Sequence, residues 1–201
     1  MSITTYAELK TAVANWLHRD DLTAIIPDLI TVAENRIFRE VRIRVMESTF
    51  TGTIASGVIA VPADYLELKF AYINASPTSQ LQRASASQIY AKYPFRTAAS
   101  KPTMIGREGT NFIFGAYPDS AYTVSGIYYA APTGIATSAN ALFLANPDLY
   151  LFGALAEAAP FVADDPKVQL WEAKYASVKQ QLSFQDDQEY GSGGGMTVSA
   201  A

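Results

Sequence analysis

One segment of the chain predicts a helix that is apolar on almost every side. It reads NPDLYLFGALAEAAPF, residues 146–161, with Asn146 placed to cap a helix and Pro147 at the first helical position. Apart from Asp148 and Glu157, the residues that follow are Leu, Tyr, Phe, Gly, Ala and Pro. Such a helix must be covered by protein, either its own chain or a neighbour, and its small residues allow the covering backbone to come close.

A membrane could also cover an apolar helix, but this segment does not suit one. A membrane span needs about 20 consecutive apolar residues, whereas this segment is shorter and contains Glu157 and Pro160. The beginning of the sequence, MSITTYAELK, is polar and does not have the pattern of a secretory signal. We therefore expect no membrane partner, and we assign the helix to packing against protein.

The composition restricts the chemistry that the chain can perform. There is no cysteine and a single histidine, His18, so the sequence predicts no disulfide, no thiolate or histidine metal cluster and no catalytic site. We expect no cofactor. The net charge of −4 argues against non-specific binding to nucleic acid. Charged residues make up only 17% of the chain, which favours a surface that contacts other protein.

The hydrophobic period changes twice along the chain and predicts an α+β fold. Residues 1–46 and 146–190 have helical periodicity, and we expect them to form one helical bundle. Residues 47–145 have strand periodicity and predict an antiparallel β region inserted between the helical segments. The remaining residues, 191–201, read as a flexible C-terminal tail.

The first two helices have recognisable starts. Thr5 and Glu8 form a capping-box pattern, and Leu9, Val13, Trp16 and Leu17 follow on one face. A second helix is expected to start at Pro27. Its apolar stripe comprises Leu29, Ile30, Ala33, Ile37 and Val41, while Glu34, Glu40, Glu47 and the arginines 36, 39, 42 and 44 are assigned to the other sides.

The middle region predicts two hairpins, a short helix and two further strands. The hairpins are expected to turn at residues 55–57 and 107–109, and SASQIYAKYPF is expected to form the helix. LELKFAYIN and AYTVSGIYYAAP read as the additional strands. The Tyr and Phe residues of these strands are either cross-strand core pairs or a surface for stacking ligands, and the sequence does not separate the two.

A last amphipathic helix is predicted from DDPKVQLWEAKYASVKQQLSF. Asp164 or Asp165 is expected to cap it, with Pro166 in its first turn. Its apolar stripe comprises Val168, Trp171, Tyr175, Val178 and Leu182. Between residues 145 and 190, eight acidic residues oppose three lysines, so this segment is strongly acidic.

The order of these segments resembles the head–tail adaptor (connector) proteins of tailed bacteriophages, especially the short-tailed, podovirus-like type. The resemblance rests on an ordered set of segments that covers nearly the whole chain: YAELKTAVANWLHRDDL, IPDLITVAENRIFREVR, VPADYLELKFAYIN, FGAYPDSAYTVSGIYYAAP and NPDLYLFGALAEAAPFVADD. It implies a structural virion protein, assembled in the host cytoplasm. About twelve copies would form a ring on the portal protein and would continue the channel through which the genomic DNA passes.

The resemblance also implies contacts for particular residues. In such proteins the C-terminal arm engages the portal, which points to Tyr190, Met196 and Val198, and the ring receives the tail nozzle protein. An acid-rich last segment would suit a channel wall along which DNA slides without sticking. For packing within the bundle or between subunits, the candidates are Leu149, Phe152, Gly153, Ala156, Trp171 and Tyr175. A central helix in a monomeric bundle fits these six residues equally well.

Two other functions remain open at this point. One is a carbohydrate-binding or other ligand-binding β module on a helical stalk, which requires exposed aromatic residues on the strands. The other is a cell-wall hydrolase that uses a carboxylate pair such as Asp64 and Glu67.

Overall fold

The computed structural model describes residues 3–94, 99–161 and 167–192. Contacts along the backbone divide the chain into a helical unit, Met1–Met46 with Pro132–Ala201, and a β unit, Glu47–Ala131. The protein therefore has the predicted α+β fold. Its described α-helices are α1 (Tyr6–Leu17), α2 (Ile26–Glu40), α3 (Ala86–Lys92), α4 (Ala141–Ala145), α5 (Pro147–Glu157) and α6 (Lys167–Ser192).

Residues 132–145 belong to the helical unit, whereas the sequence placed them in the β region. The physical reason is that this stretch buries Ile135, Leu142 and Phe143. The Phe143 ring packs edge-on against the Tyr150 ring of α5, with ring centres 5.2 Å apart. Asn140 caps α4 by accepting a hydrogen bond from the Phe143 N–H at 2.8 Å.

The predicted start of α1 is confirmed. Thr5 Oγ1 accepts a hydrogen bond from the Glu8 N–H, and Glu8 Oε2 accepts one from the Thr5 N–H. The buried face contains Leu9, Val13 and Leu17, but Trp16, which was predicted to share it, is 47% exposed. Trp16 lies at the edge of this face, where it contacts the Phe152 ring edge-on.

α5 lies within the apolar segment 146–161, and its own chain covers it. It contacts α1, α2, α4 and α6. Pro147 occupies the predicted first turn, but Asn146 does not cap the helix through its side chain. Instead, Asn146 ends α4, and its amide donates a hydrogen bond to the Leu142 carbonyl at 3.4 Å. The Asn146 side chain, which was predicted to cap α5, therefore bonds to the end of α4 instead.

Gly153 explains why α5 is rich in small residues. A Cβ at this position would lie 3.3 Å from Ala33 Cβ on α2 and 3.5 Å from the Tyr175 ring on α6. The helices α2 and α6 thus both approach α5 at the same residue, Gly153. Only a side chain no larger than a methyl group fits between them.

The β unit consists of two four-stranded sheets. The order in the first is β1 (Glu47–Thr53), β8 (Thr123–Ala130), β3 (Tyr65–Ile73) and β4 (Ser79–Gln80). The second comprises, in order, β2 (Val58–Ala60), β7 (Asn111–Gly115), β6 (Met104–Glu108) and β5 (Gln82–Arg83). The described pairings are antiparallel, as predicted, except that β5 runs parallel to β6.

The first predicted hairpin turns where expected but does not form a two-stranded ribbon. Ser56 and Gly57 have φ values of 52° and 79°, which give the tight turn. Beyond the bridge between Ala55 and Val58, however, the two strands join different sheets. β1 pairs instead with β8 along its whole length, from Glu47 opposite Tyr129 to Thr53 opposite Thr123. The long ladder between β1 and β8 therefore forms in place of an extended hairpin between β1 and β2.

The second predicted hairpin forms between β6 and β7. Glu108 lies opposite Asn111, so the turn residues are Gly109 and Thr110, slightly later than the predicted 107–109. Gly109 has a φ of 58°. A left-handed residue is needed in a two-residue turn, and glycine adopts this conformation without strain.

The carboxylate of Glu34 is buried, whereas the helical pattern of α2 predicted it on the polar side of the helix. Glu34 is 8% exposed, and its Oε1 accepts a hydrogen bond from the Ile135 N–H at 3.0 Å. Burial raises the pKa of Glu34 above its ordinary value, although the hydrogen bond from Ile135 partly opposes this shift. Glu34 therefore connects α2 to the segment that leads into α4.

We expect Gly153→Leu to destabilise the helical unit because its side chain cannot fit between Ala33 and Tyr175. Overpacking of this kind costs about 1–3 kcal/mol of unfolding free energy, measurable by urea unfolding. Gly153→Ala is the matched control, because its methyl group would lie 3.3 Å from Ala33 Cβ and requires only a small shift there, while alanine improves helix propensity by up to about 1 kcal/mol. Equal stability of the Leu variant and the wild type would contradict the close approach.

We expect Glu34→Gln to make the protein more stable at pH 7 while keeping the acceptor for the Ile135 N–H. Because the folded protein holds the Glu34 proton more tightly than the unfolded chain, this residue's contribution to stability is lost as pH rises above about 4.5. The stability difference between the Gln variant and the wild type should therefore shrink as pH falls toward about 4.5 and no longer change below that value. Urea unfolding at about every pH unit between about pH 4 and about pH 8 measures this stability difference. A difference that does not change with pH would contradict the raised pKa of Glu34.

Candidate functional site

The six packing candidates lie where the helices of one chain meet. Leu149, Gly153 and Ala156 of α5 are buried. Trp171 and Tyr175 of α6 are buried as well. Phe152 is half-buried beside Trp16. Within one chain, these side chains therefore pack mainly where the helices of the bundle meet.

The three residues assigned to the C-terminal arm are placed only in part. Tyr190 lies on α6, which extends to Ser192, but its side chain is outside the described part of the chain. Met196 and Val198 fall outside the described residues, as do Asp164, Asp165 and Pro166, which were expected to start the last helix.

Arg36 on α2 joins three helices through its guanidinium. It donates to Glu40 on its own helix at 3.1 Å and to Glu157 on α5 at 3.3 Å. It also forms a bidentate pair with Glu172 on α6. The guanidinium carbon lies 4.4 Å from the centre of the Tyr175 ring, which adds a cation–π contact.

The groups around Arg36 perturb one another in the expected directions. Hydrogen bonding with Glu172, set against burial, raises the pKa of the Arg36 guanidinium. Burial of Glu40 acts to raise its pKa, but the hydrogen bonds from Lys179 and Arg36 outweigh it and hold the pKa below its ordinary value. The Tyr175 hydroxyl donates to Glu40 at 3.2 Å, and burial raises its pKa. These charged groups link the helices at the partly exposed edge of the bundle.

Arg44 performs a similar role for the distal half of α6. Its backbone N–H donates to Asp186 Oδ1 at 2.9 Å, and its Nη2 donates to the Asp186 carbonyl at 2.8 Å. Its Nη2 is also 3.6 Å from Glu189. With 26 residues, α6 is about 39 Å long, and past Tyr175 none of its described side chains is fully buried. Arg44 therefore holds a stretch of helix that apolar packing holds only weakly.

These ion pairs change the expected character of the acid-rich segment. Glu157 and Glu172 pair with Arg36, while Asp186 and Glu189 pair with Arg44. Four of the eight acids in this segment therefore face arginines of the same chain. Their negative charge is partly balanced by these arginines, so the four side chains add less to an acidic surface than the sequence indicated.

An open groove of about 640 Å³ lies on the helical unit where α1, α5 and the first turns of α6 meet. Its described lining consists of Ile3, Ala12, Asn15, Trp16, His18, Leu151, Lys167, Leu170 and Trp171. Trp16 and Leu170 are large apolar side chains exposed to 47% and 52%. Exposed apolar side chains beside a concave surface are typical of a protein–protein contact.

Phe184 is the most exposed large apolar side chain among the described residues, at 62%. Leu182 and Asp186, two positions away on either side, point about 160° away from it on the helix and are half-buried. Phe184 therefore points away from the bundle. Sequence reasoning missed it, because it falls outside the apolar stripe of α6. An isolated Phe among Gln and Asp residues was the available signal.

The carboxylates of the hydrolase hypothesis have other partners in the β unit. Asp64 accepts a hydrogen bond from the Tyr128 hydroxyl at 2.9 Å, and Glu67 is 3.2 Å from Arg83. Glu67, Arg83 and Arg107 line an open pocket of about 280 Å³. Arg107 lies over the Tyr65 ring, with 5.0 Å to its centre.

The aromatic residues of the strands mostly form the core of the β unit. Phe50 stacks on Phe112 with ring centres 5.4 Å apart, and Tyr65 stacks on Tyr128 at 5.9 Å. Phe50, Phe112 and Tyr128 are buried. The ligand-binding hypothesis required exposed aromatic residues, and these four instead pair with one another.

Among the described residues, no group of three or more His, Asp or Glu side chains is arranged to hold a metal ion. None of the helices in the described ranges is long and apolar enough to cross a membrane. His18 ends α1 in a left-handed conformation, with φ 50°, and lines the groove.

Comparison with known proteins identifies the family. The model of the SU10 adaptor protein family matches residues 4–198, a range that includes all the described helices and strands. No curated protein matches the chain. Because the family match spans nearly the whole sequence, the chain belongs to the SU10 adaptor protein family and is a structural adaptor of the bacteriophage virion.

Proposed function

We propose that the protein docks as a ring on the portal protein and links it to the tail nozzle protein. The proposal rests on the family match over residues 4–198. About twelve copies form the closed ring, which sits at the head–tail interface of a short-tailed, podovirus-like virion and is assembled in the host cytoplasm. The mechanism is docking, in which buried apolar area supplies the binding free energy.

Exposed apolar residues on the helical unit support ring formation. The bundle has its own buried core around α5, yet Trp16 and Leu170 remain exposed at the rim of a groove. A ring covers such surfaces, since each copy presents one face to the copy before it and a different face to the copy after it.

The C-terminal arm is assigned to the portal. Tyr190, Met196 and Val198 supply its apolar contacts. The tail was predicted to start at residue 191, but α6 includes Gly191 and Ser192, so the spacer consists of the three glycines 193–195, which allow the segment after them to adapt to the portal surface. α6 carries this arm away from the buried part of the bundle, and Arg44 holds the helix in place near its end. Met196 and Val198 alternate along the chain, so they would share one face of an extended strand.

Genomic DNA is proposed to pass through the ring without sequence-specific binding. The chain has a net charge of −4, so a channel surface of the same sign as the phosphate backbone would not retain DNA. Asp148 and Asp187 are exposed acids of the last segment that are available for this role. The carboxylates that pair with Arg36 and Arg44 contribute less.

We expect light scattering of the purified protein to give a closed oligomer, either alone or after addition of the portal protein of the same phage. Its mass should be about twelve times 21.8 kDa. The condition in which the oligomer forms identifies the trigger for assembly. A mass that stays near 21.8 kDa in both conditions would contradict the proposal and favour a ligand-binding β unit.

We expect the double variant M196S/V198S to bind the portal protein about tenfold or more weakly, because it removes two apolar anchors. The matched control is T197A/S199A, which changes the alternate side chains of the same segment. Surface-immobilised portal protein and a concentration series of each variant give the dissociation constants. Equal affinities for both double variants would show that the arm does not recognise the portal through this face.

A further inference from the structure

The helical unit carries two unlike surfaces at different positions along α6. One is the groove, which includes Lys167, Leu170 and Trp171 from the first turns of the helix. The other is the Phe184 knob, by which we mean Phe184 with Asp187 on the next turn of the same outer face. The groove is concave and apolar, whereas the knob is a single protruding aromatic ring with a carboxylate beside it.

A single copy cannot bring these two surfaces together. Leu170 and Phe184 are fourteen positions apart on one uninterrupted helix, which separates them by about 21 Å. The apolar tail residues Met196 and Val198 cannot fill the groove of their own copy either. They are four and six residues beyond Ser192, a reach of at most about 22 Å, while Trp171 is about 32 Å from Ser192 along the helix axis. Another copy can supply a knob without these restrictions.

The two surfaces complement each other in shape and charge. The groove volume of about 640 Å³ accommodates an aromatic side chain, and Trp16 and Leu170 form an exposed apolar rim. His18 and Lys167 are in its described lining, which contains no carboxylate. On the knob side, the exposed Asp187 lies beside Phe184, and the sequence after Lys179 contains no Lys or Arg.

We propose that the Phe184 knob of one copy enters the groove of the next copy. The contact is head-to-tail, because a knob engages a groove and leaves one free knob and one free groove at the ends. A contact of this type closes into a ring when the rotation between copies is suitable. The inference rests on the proposed ring adaptor and names the surfaces through which its copies meet.

Cysteine cross-linking tests the contact directly, because the natural chain contains no cysteine. The variants L170C and Q188C are mixed and treated with a short bismaleimide. Gln188 is exposed and lies one turn after Phe184 on the same helix face, so Phe184 itself is kept. We expect a cross-linked dimer in the mixture and none from either variant alone. The double variant L170C/Q188C should give a ladder of multimers, because each copy then carries both reactive positions. Both substitutions change exposed side chains, and circular dichroism verifies the fold.

Val32 provides the matched control, since it is an apolar residue on α2 with 46% exposure. A mixture of V32C and Q188C should give several-fold less dimer than the mixture of L170C and Q188C. Equal yields would overturn the inference, and so would the absence of a dimer with L170C. If Q188C instead cross-links to added portal protein and not to L170C, the knob belongs to the portal contact and the inference is wrong.

The mass of the wild-type protein separates this inference from the proposed function. A ring that forms in the wild type and persists in F184S refutes the knob contact and leaves the adaptor proposal standing. We expect F184S to weaken self-association about tenfold or more, while V32S leaves it unchanged. A wild type that never exceeds the monomer mass, with or without portal protein, refutes the adaptor ring itself.

Discussion

The close approach of α2 and α6 at Gly153 is the constraint on which the helical unit depends. α5 has no polar face to present to water, so other helices must cover it on all sides, and its small residues determine how near they come. Once α5 is covered by its own chain, the apolar surface that remains for partners lies elsewhere, at the rim of the groove and at Phe184. The apolar helix α5 therefore forms the buried centre around which the helical unit is arranged.

Ionic contacts add specificity to this apolar core. Arg36 selects one arrangement of α2, α5 and α6, because its donors are directed at a carboxylate on each helix. A planar, multiply bonded guanidinium fixes geometry more strictly than apolar contacts do. Arg44 makes the corresponding selection near the end of α6. Six of the chain's few charged residues are thus engaged with one another, namely Arg36, Arg44, Glu157, Glu172, Asp186 and Glu189, which reduces the charge available on the surface of the helical unit.

Local patterns predicted local structure well. The Thr5 and Glu8 capping box, the apolar stripe of α2 and the Gly109 turn each depend on residues a few positions apart, and each is present. These local patterns could not predict which strands pair when they are far apart in the sequence. The separation of β1 and β2 into different sheets depends on β8, some seventy residues later. Glu34 was placed at the surface because its helix position alone does not reveal that Ile135 will cover it. For the candidate site, periodicity identified core residues such as Trp171 and Tyr175, whereas Phe184 and Leu170 lie outside the stripe that periodicity detects.

The pairing of Glu47 with Tyr129 has a consequence for how this chain tolerates change. β1 begins the β unit and β8 ends it, and the two strands are antiparallel neighbours. The points where the chain enters and leaves the β unit are therefore side by side, about 5 Å apart as in any paired strands. For the helical unit, the residues between the start of β1 and the end of β8 act as one closed loop. The entropic cost of closing such a loop depends only weakly on the number of residues in it. The region between these two crossings can thus be exchanged, enlarged or lost as a cassette, while the helices keep the same connections.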